Sequence, residues 1–299
     1  MADQLIRATA AEGGIRVVGA ITTRLTDEAK QRHNLSYVAA AALGRTMTSG
    51  LLLASSMKRA GSRVNLRLDG DGPLGVVFAD ARLDGTVRGY VGNPSIELPP
   101  NSKGKLDVGG AVGQGYLHVV RDVGYGYPYS STVELVSGEI GDDVAYYLVA
   151  SEQTPSALVV GVFVEPEGVT AAGGILIQVL PKAARDEALV ELLESRIAAL
   201  KGFTPLLQAG KTLPQMFNDL LGDMGLEHLS ETQLLKFQCG CTFDRMLGAL
   251  KMLGQDELRD MIHQDEGAEA ICHFCNEVYR ADSNHLEQLI EEMKAEASS

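Results

Sequence analysis

The stretch SYVAAAALGRTMTSGLLLASSMK, residues 36–58, reads as a long apolar helix, and short β-branched runs flank it on both sides. IRVVGAITT (15–23) precedes it. RVNLRLDG (63–70), GVVFADA (75–81), TVRGYVG (86–92) and ALVVGVFVEP (157–166) follow, set apart by Gly, Asp and Pro breaks. A second helical pattern, GDDVAYYLVASEQ (141–153), opens on aspartates that suit the positive end of a helix. Strands and helices mix without the regular βαβ rhythm of a parallel sheet. The pattern predicts an α+β domain with a largely antiparallel sheet.

After Pro181 the pattern changes to helix alone. In KAARDEALVELLESRIAAL (182–200), Leu189, Leu193, Ile197 and Leu200 form one apolar stripe on a charged helix. Gly202, Pro205, Gly210, Pro214, Gly222 and Gly225 then cut residues 201–229 into short pieces. Isolated helices shorter than about 12 residues are marginal in water, so this segment needs a neighbour to pack on. Ser230, Glu231, Thr232 and Gln233 fit a capping box and open the last section. That section carries a helical stripe of Phe243, Met246, Leu247, Leu250 and Leu253, read as core packing, and a charged final helix from about Asn284. At 299 residues the chain exceeds the usual size of one core. The expected division is an α+β core over 1–181, a helical linker over 182–229 and a cysteine-bearing domain over 230–299.

Glycine and charge follow the same division. Residues 1–181 hold 25 of the 33 glycines, the mark of turn-rich sheet. Lys and Arg number 15 against 18 Asp and Glu there, and 11 against 21 in 182–299, so the net charges are -3 and -10. A total of -13 argues against a nucleic-acid partner, because a phosphate backbone rewards clustered Lys and Arg. No run approaches the roughly 20 apolar residues of a membrane span, and MADQLIRATAAEGG lacks the basic flank and apolar block of a signal peptide. The expectation is a cytoplasmic protein with no membrane partner, whose thiols are kept reduced.

All four cysteines lie in the last section, in FQCGCTF (237–243) and ICHFCNE (271–277). The order C-x-C, thirty residues, C-x-x-C suits Zn²⁺, which takes four thiolates at about 2.3 Å in a tetrahedron. Cys239, Cys241, Cys272 and Cys275 are the expected ligands, with His273 a bystander. A section this small has a marginal apolar core of its own, and a structural metal would supply much of its folding energy. Thiolates are also the form that oxidants attack. Within each pair a partner sulfur is near, so Cys239 can join Cys241 and Cys272 can join Cys275. Strained bridges of that kind are readily reduced, which would make the site a reversible switch.

Two other candidate motifs reduce to structure. GDGPLG (70–75) matches a dinucleotide fingerprint letter for letter, but β-branched strand follows it where a helix is required, so it reads as a hairpin turn. SEQTPS (151–156) offers Ser151 with no base at a recognisable spacing, and reads as a helix end entering a turn. A disulfide oxidoreductase using CHFC is disfavoured because no βαβ pattern adjoins it. A zinc-ribbon nucleic-acid module is disfavoured by the acidity of the segment around it.

QCGCTFDRMLGALKMLG followed by ICHFCNEVYR resembles the zinc-binding C-terminus of the redox-regulated heat-shock chaperone family, the 33 kDa chaperonins. DGDGPLG, GYVGNP, PYSSTVELVSGEIGDDVAYYLVASEQTPSA and AAGGILIQVLP are similar to its N-terminal part, so the resemblance runs nearly the whole chain. It implies a cytoplasmic holdase, not an enzyme, whose partners are unfolded or partly unfolded client proteins. It implies one Zn²⁺ per chain on Cys239, Cys241, Cys272 and Cys275 in a reduced, inactive form. Oxidation would join Cys239 to Cys241 and Cys272 to Cys275, release the zinc and unfold the C-terminal switch with the metastable linker 182–229. It leaves room for a homodimer when oxidised.

Overall fold

The computed structural model describes residues 2–200 and 202–297. The chain divides into two compact units, the first ending at Gln238 and the second beginning at Cys239. The linker segment clusters with the first unit.

The first unit runs β1 (Gln4–Ala10), β2 (Ile15–Ile21), α1 (Thr23–His33), α2 (Tyr37–Ala54), β3 (Arg63–Gly70), β4 (Val77–Arg82) and β5 (Thr86–Val91). It continues with α3 (Val108–Val112), β6 (Gly115–Asp122), β7 (Tyr129–Glu134), α4 (Gly141–Ala150), β8 (Ser156–Glu165) and β9 (Gly168–Val179). Helices α5 (Glu187–Ala198), α6 (Phe203–Gln208) and α7 (Leu213–Leu221) come next, then the two-residue strands β10 (Glu227–His228), β11 (Gln233–Leu234) and β12 (Lys236–Phe237).

Two sheets result. One has the order β10-β1-β2-β9-β8, with β11 also on β1; the other has the order β12-β5-β4-β3-β6-β7. Every pairing in them is antiparallel except β12 with β5. The α+β class with antiparallel sheets is therefore what the chain adopts. GDGPLG forms the turn between the antiparallel partners β3 and β4. Strands β1, β6, β7 and β9 and helix α1 are additional to the sequence reading.

Helix α2 packs against β3, β4 and β5 of one sheet and β8 and β9 of the other. Its composition suits that position. Ala39 to Leu43 are fully buried, and Gly44 and Gly50 give room for neighbours on opposite sides. Ser36 caps the helix by accepting from the Ala39 N–H at 3.3 Å. Thr46 and Ser49 return their hydroxyls to the Ala42 and Arg45 carbonyls at 2.8 Å, which satisfies polar groups that no water reaches. At the start of α4, Asp143 is fully buried and accepts from the Val136, Ser137, Gly138 and Ile140 N–H groups at 2.8 to 3.2 Å.

The helices of 182–229 find the neighbour they need on the first sheet. Leu193, Phe203, Leu213, Met216, Phe217 and Leu220 are buried in one cluster with Ile15, Val17, Ile175 and Ile177 of β2 and β9. The predicted stripe holds: Leu193 is buried and Leu189, Ile197 and Leu200 pack partly against the cluster. The helix is shorter than 182–200, because the Asp186 carboxylate caps it by accepting from the Leu189 N–H at 3.0 Å.

One expectation is corrected here. Ser230 to Gln233 start no helix. The register with β1 pairs Gln233 with Leu5, and its side chain donates to the Leu83 carbonyl at 2.5 Å while accepting from Arg7 at 2.8 Å. Tertiary hydrogen bonds at a sheet edge outweigh a local capping preference.

The second unit contains α8 (Phe243–Lys251), α9 (Gln255–Asp265), the antiparallel hairpin β13 (Gly267–Ile271) and β14 (Val278–Asp282), and α10 (Ser283–Ala297). Met246, Leu250, Leu258, Ala281, Leu286, Leu289 and Ile290 form its core, with Phe243 and Leu247 against it. Leu253, counted in the predicted stripe, lies past the end of α8 and is half exposed.

Candidate metal centre

The cysteines stand on two different local structures of the second unit. Cys239 and Cys241 sit on the loop entering α8, whose N-cap Thr242 accepts from the Arg245 N–H at 3.2 Å. The Arg245 guanidinium reaches back to the Gly240 carbonyl at 2.7 Å and fixes the loop. Cys272 and Cys275 occupy the turn between β13 and β14. The Cys272 carbonyl accepts from the Cys275 and Asn276 N–H groups at 3.3 and 2.8 Å, and the Cys272 N–H donates to Glu277 at 2.9 Å. Asn276 has φ 58°, a left-handed conformation that asparagine tolerates better than most residues.

These two turns bring all four sulfurs within 4.8 Å of one another. Cys239 Sγ lies 3.7 Å from Cys272 Sγ, and Cys241 Sγ lies 3.2 Å from Cys275 Sγ. Tetrahedral bonds of about 2.3 Å would put sulfurs about 3.8 Å apart, so the cluster is of the right size for one ion. Cys275 is buried, and the other three are partly so. His273 contributes no atom to the cluster.

Burial pushes the Cys272 and Cys275 thiols up from the ordinary thiol range, and the neighbouring sulfurs add to the rise at Cys275. Two unit charges 4 Å apart repel by about 4 kcal/mol at an effective dielectric of 20. Four thiolates in this space therefore require a cation. The donor set fits a soft, tetrahedral divalent ion. Among the described residues it is the one cluster of three or more Cys, His, Asp or Glu suited to a metal.

The sequence reading missed Tyr279. Its hydroxyl donates to Cys241 Sγ at 3.2 Å from strand β14, and that contact holds its own proton more tightly than in a free phenol. Its position as the second residue of a strand is visible only once the β13–β14 hairpin is recognised.

An antiparallel α+β body followed by a small four-cysteine unit defines a class of two-part proteins with a cysteine-clustered C-terminal unit. The family model described as "Hsp33 protein" matches residues 3–282, and the chain belongs to that family. It is 78% identical over 298 residues to a 33 kDa chaperonin of Nostoc punctiforme, covering 100% of this chain and 99% of that protein. It is 72% identical over 299 residues to a 33 kDa chaperonin of Acaryochloris marina, with both chains covered completely. The crystal structure of a 33 kDa chaperonin from Thermotoga maritima superposes with a TM-score of 0.90 at 36% identity, covering 99% of this chain and 100% of that one. The chain is accordingly a chaperone, which is a non-enzymatic class. No helix among the described residues is long and apolar enough to cross a membrane.

Proposed function

We propose that the chain is a redox-gated holdase of the cytoplasm, which binds unfolded or partly unfolded client proteins and prevents their aggregation under oxidative stress. The observation that carries the reading is the convergence of four cysteine sulfurs in a unit with a small core of its own. In the reduced form Cys239, Cys241, Cys272 and Cys275 would hold one Zn²⁺. Bound there, zinc keeps the sulfurs as thiolates and ties the loop before α8 to the β13–β14 turn.

Oxidation would join Cys239 to Cys241 and Cys272 to Cys275. Each new bond hands two electrons to hydrogen peroxide, whose O–O bond breaks and whose two oxygens leave as two waters, with two protons taken from solvent for the two thiolates oxidised. No thiolate then remains to hold the metal. The second unit loses its tie, and the linker 182–229 opens and bares the apolar surface of β2 and β9 that α5, α6 and α7 cover. Nucleic acid and membrane have no part in this reading, and a homodimer belongs to the oxidised form.

A paired zinc and thiol titration run beside an aggregation assay tests it. The expected result is one zinc and no client protection when reduced, then two disulfides, no zinc and protection after peroxide with mild heat. Equal protection by the reduced, zinc-loaded form overturns the gate. Because sulfur contacts of 3.7 and 3.2 Å run between the pairs, peptide mapping completes the test: a Cys239–Cys272 bridge refutes the pairing within each motif.

A further inference from the structure

The connection from α2 to β3 meets the connection from β6 to β7 on the surface of the first unit. In the first, the Ser62 N–H donates to the Arg59 carbonyl at 3.1 Å across a turn whose third residue, Gly61, has φ 83°. That turn brings Arg59 and Ser62 together. The second connection, VGYGYP (123–128), carries Tyr125 and Tyr127, which are 64% and 99% exposed. The Arg59 guanidinium lies 4.4 Å from the Tyr125 ring centre and joins the two. Residues of both connections line a cleft of 660 Å³, within the roughly 300–1,000 Å³ of small-molecule sites.

Three cations, Lys58, Arg59 and Arg121, line this cleft with one carboxylate, Glu152. Glu152 is already taken, since Arg121 pairs with it at 2.6 Å and the Tyr147 hydroxyl donates to it at 2.5 Å. Lys58 and Arg59 have no ion-pair partner among the described residues. Their place after α2 would suit the negative end of that helix, but the Ser55 and Ser56 hydroxyls already donate to the Leu52 and Leu53 carbonyls at 2.7 Å. Ser62 points the same way. It lines the cleft at 1% exposure, and its hydroxyl has no hydrogen-bond partner among the described residues. Buried hydroxyls are nearly always satisfied, so this one marks a place for an acceptor that the chain does not supply.

We propose that this cleft binds a nucleoside phosphate, its base stacked on Tyr125 or Tyr127 and its phosphate oxygens held by Lys58, Arg59 and the Ser62 hydroxyl. Tyrosine faces stack on any base, and a guanidinium lying on a ring keeps its N–H edge for an anion. Both halves of the ligand are needed. A bare anion would leave the tyrosines unused, and an apolar ring alone would leave Lys58, Arg59 and Ser62 without a partner. A long polyanion is disfavoured by the net charge of -13 on the chain. No residue of the linker or of the cysteine unit lines the cleft, so the inference rests on neither the holdase reading nor its switch.

Isothermal titration calorimetry of the reduced full chain with ADP, adenosine and inorganic phosphate in turn tests it. ADP should bind, with adenosine and phosphate each about tenfold weaker or worse. The double variant Lys58→Gln with Arg59→Gln should weaken ADP about tenfold, and added salt should weaken it in the parent. Ser62→Ala deletes a hydroxyl without a partner, so it should leave the urea midpoint unchanged or higher while weakening ADP about threefold to tenfold. A serine with a structural role alone would not move the ADP affinity. Tyr127→Ser, at an almost fully exposed position that the fold does not need, should weaken ADP about fivefold. Absence of ADP binding at about 1 mM overturns the proposal, as does equal affinity for phosphate alone or for adenosine alone. Tighter binding of an oligoadenylate than of ADP overturns it in favour of a single-strand surface, and unchanged ADP affinity in all three variants overturns it by placing the nucleotide elsewhere.

Discussion

The Tyr279 hydroxyl is the one phenol that donates to the cysteine cluster among the described contacts, and it donates to Cys241. A hydrogen bond to a ligating thiolate draws off charge and fixes the ligand's orientation. Removing such outer contacts commonly costs 10- to 100-fold in metal affinity. Tyr279→Phe should therefore hold zinc about tenfold more weakly in competition with a chromogenic chelator, with the fold unchanged by circular dichroism. Unaltered affinity would make the contact incidental. The cysteines were legible in the sequence because tetrahedral thiolate binding constrains spacing along the chain. Tyr279 was not, because its role depends on the hairpin that carries it across from Cys241. Asp143 was half legible: aspartate at a helix start was expected, but its four bonds to the 136–140 backbone follow from burial, which sequence alone does not show.

Among the elements, α2 was the most legible, since its length and apolar composition leave little alternative to a buried helix. Gly44 shows how tightly it is held. A Cβ there would lie 2.5 Å from Thr26 Cγ2 and 2.8 Å from Val162 Cγ2, so α1 or β8 would have to move. Gly44→Ala should lower stability by about 1–3 kcal/mol despite its gain in helix propensity, read as a fall in the urea midpoint. Strands β6, β7 and β9 were less legible: glycine and tyrosine dilute the β-branched signal, and β6 and β9 each have one partner, β3 and β2, far away in sequence. The linker helices carry a pH dependence. Arg196 donates to both carboxylate oxygens of Asp223 at 2.6 Å, holding that carboxyl below the ordinary range. A depressed folded value means the bond contributes fully above the ordinary carboxylate value of about 3.9, and is lost as pH falls through the lower folded value. Limited proteolysis should find 187–224 cut faster in acid below about pH 4, and Arg196→Gln should bring that cleavage to neutral pH.

For the molecule as a whole, the second unit is where metal and fold are linked. Domains below about 70–80 residues seldom hold together on an apolar core alone, and structural zinc contributes roughly 10–16 kcal/mol of apparent binding energy in small domains. Chelation of the reduced protein should therefore erase the helical signal of α8, α9 and α10 in circular dichroism. A separate, higher-temperature transition of the first unit should remain. One unchanged melting curve with and without chelator would show that the metal does not support the unit. The sequence conveyed the change of character after Pro181 and the isolation of the cysteines. It did not convey that residues 182–238 are built into the first unit, because that depends on the sheet surface and edges they pack upon.

The position of α2 between the two sheets sets a clock for the rest of the chain. Its amides are shielded by β3, β4 and β5 on one side and by β8 and β9 on the other, so deuterium reaches them only when both sheets part. In exchange experiments α2 should label last in every redox state. It then serves as an internal reference against which opening of the linker or of the cysteine unit is timed, and labelling of α2 would mark the point at which the chaperone itself becomes an unfolded chain.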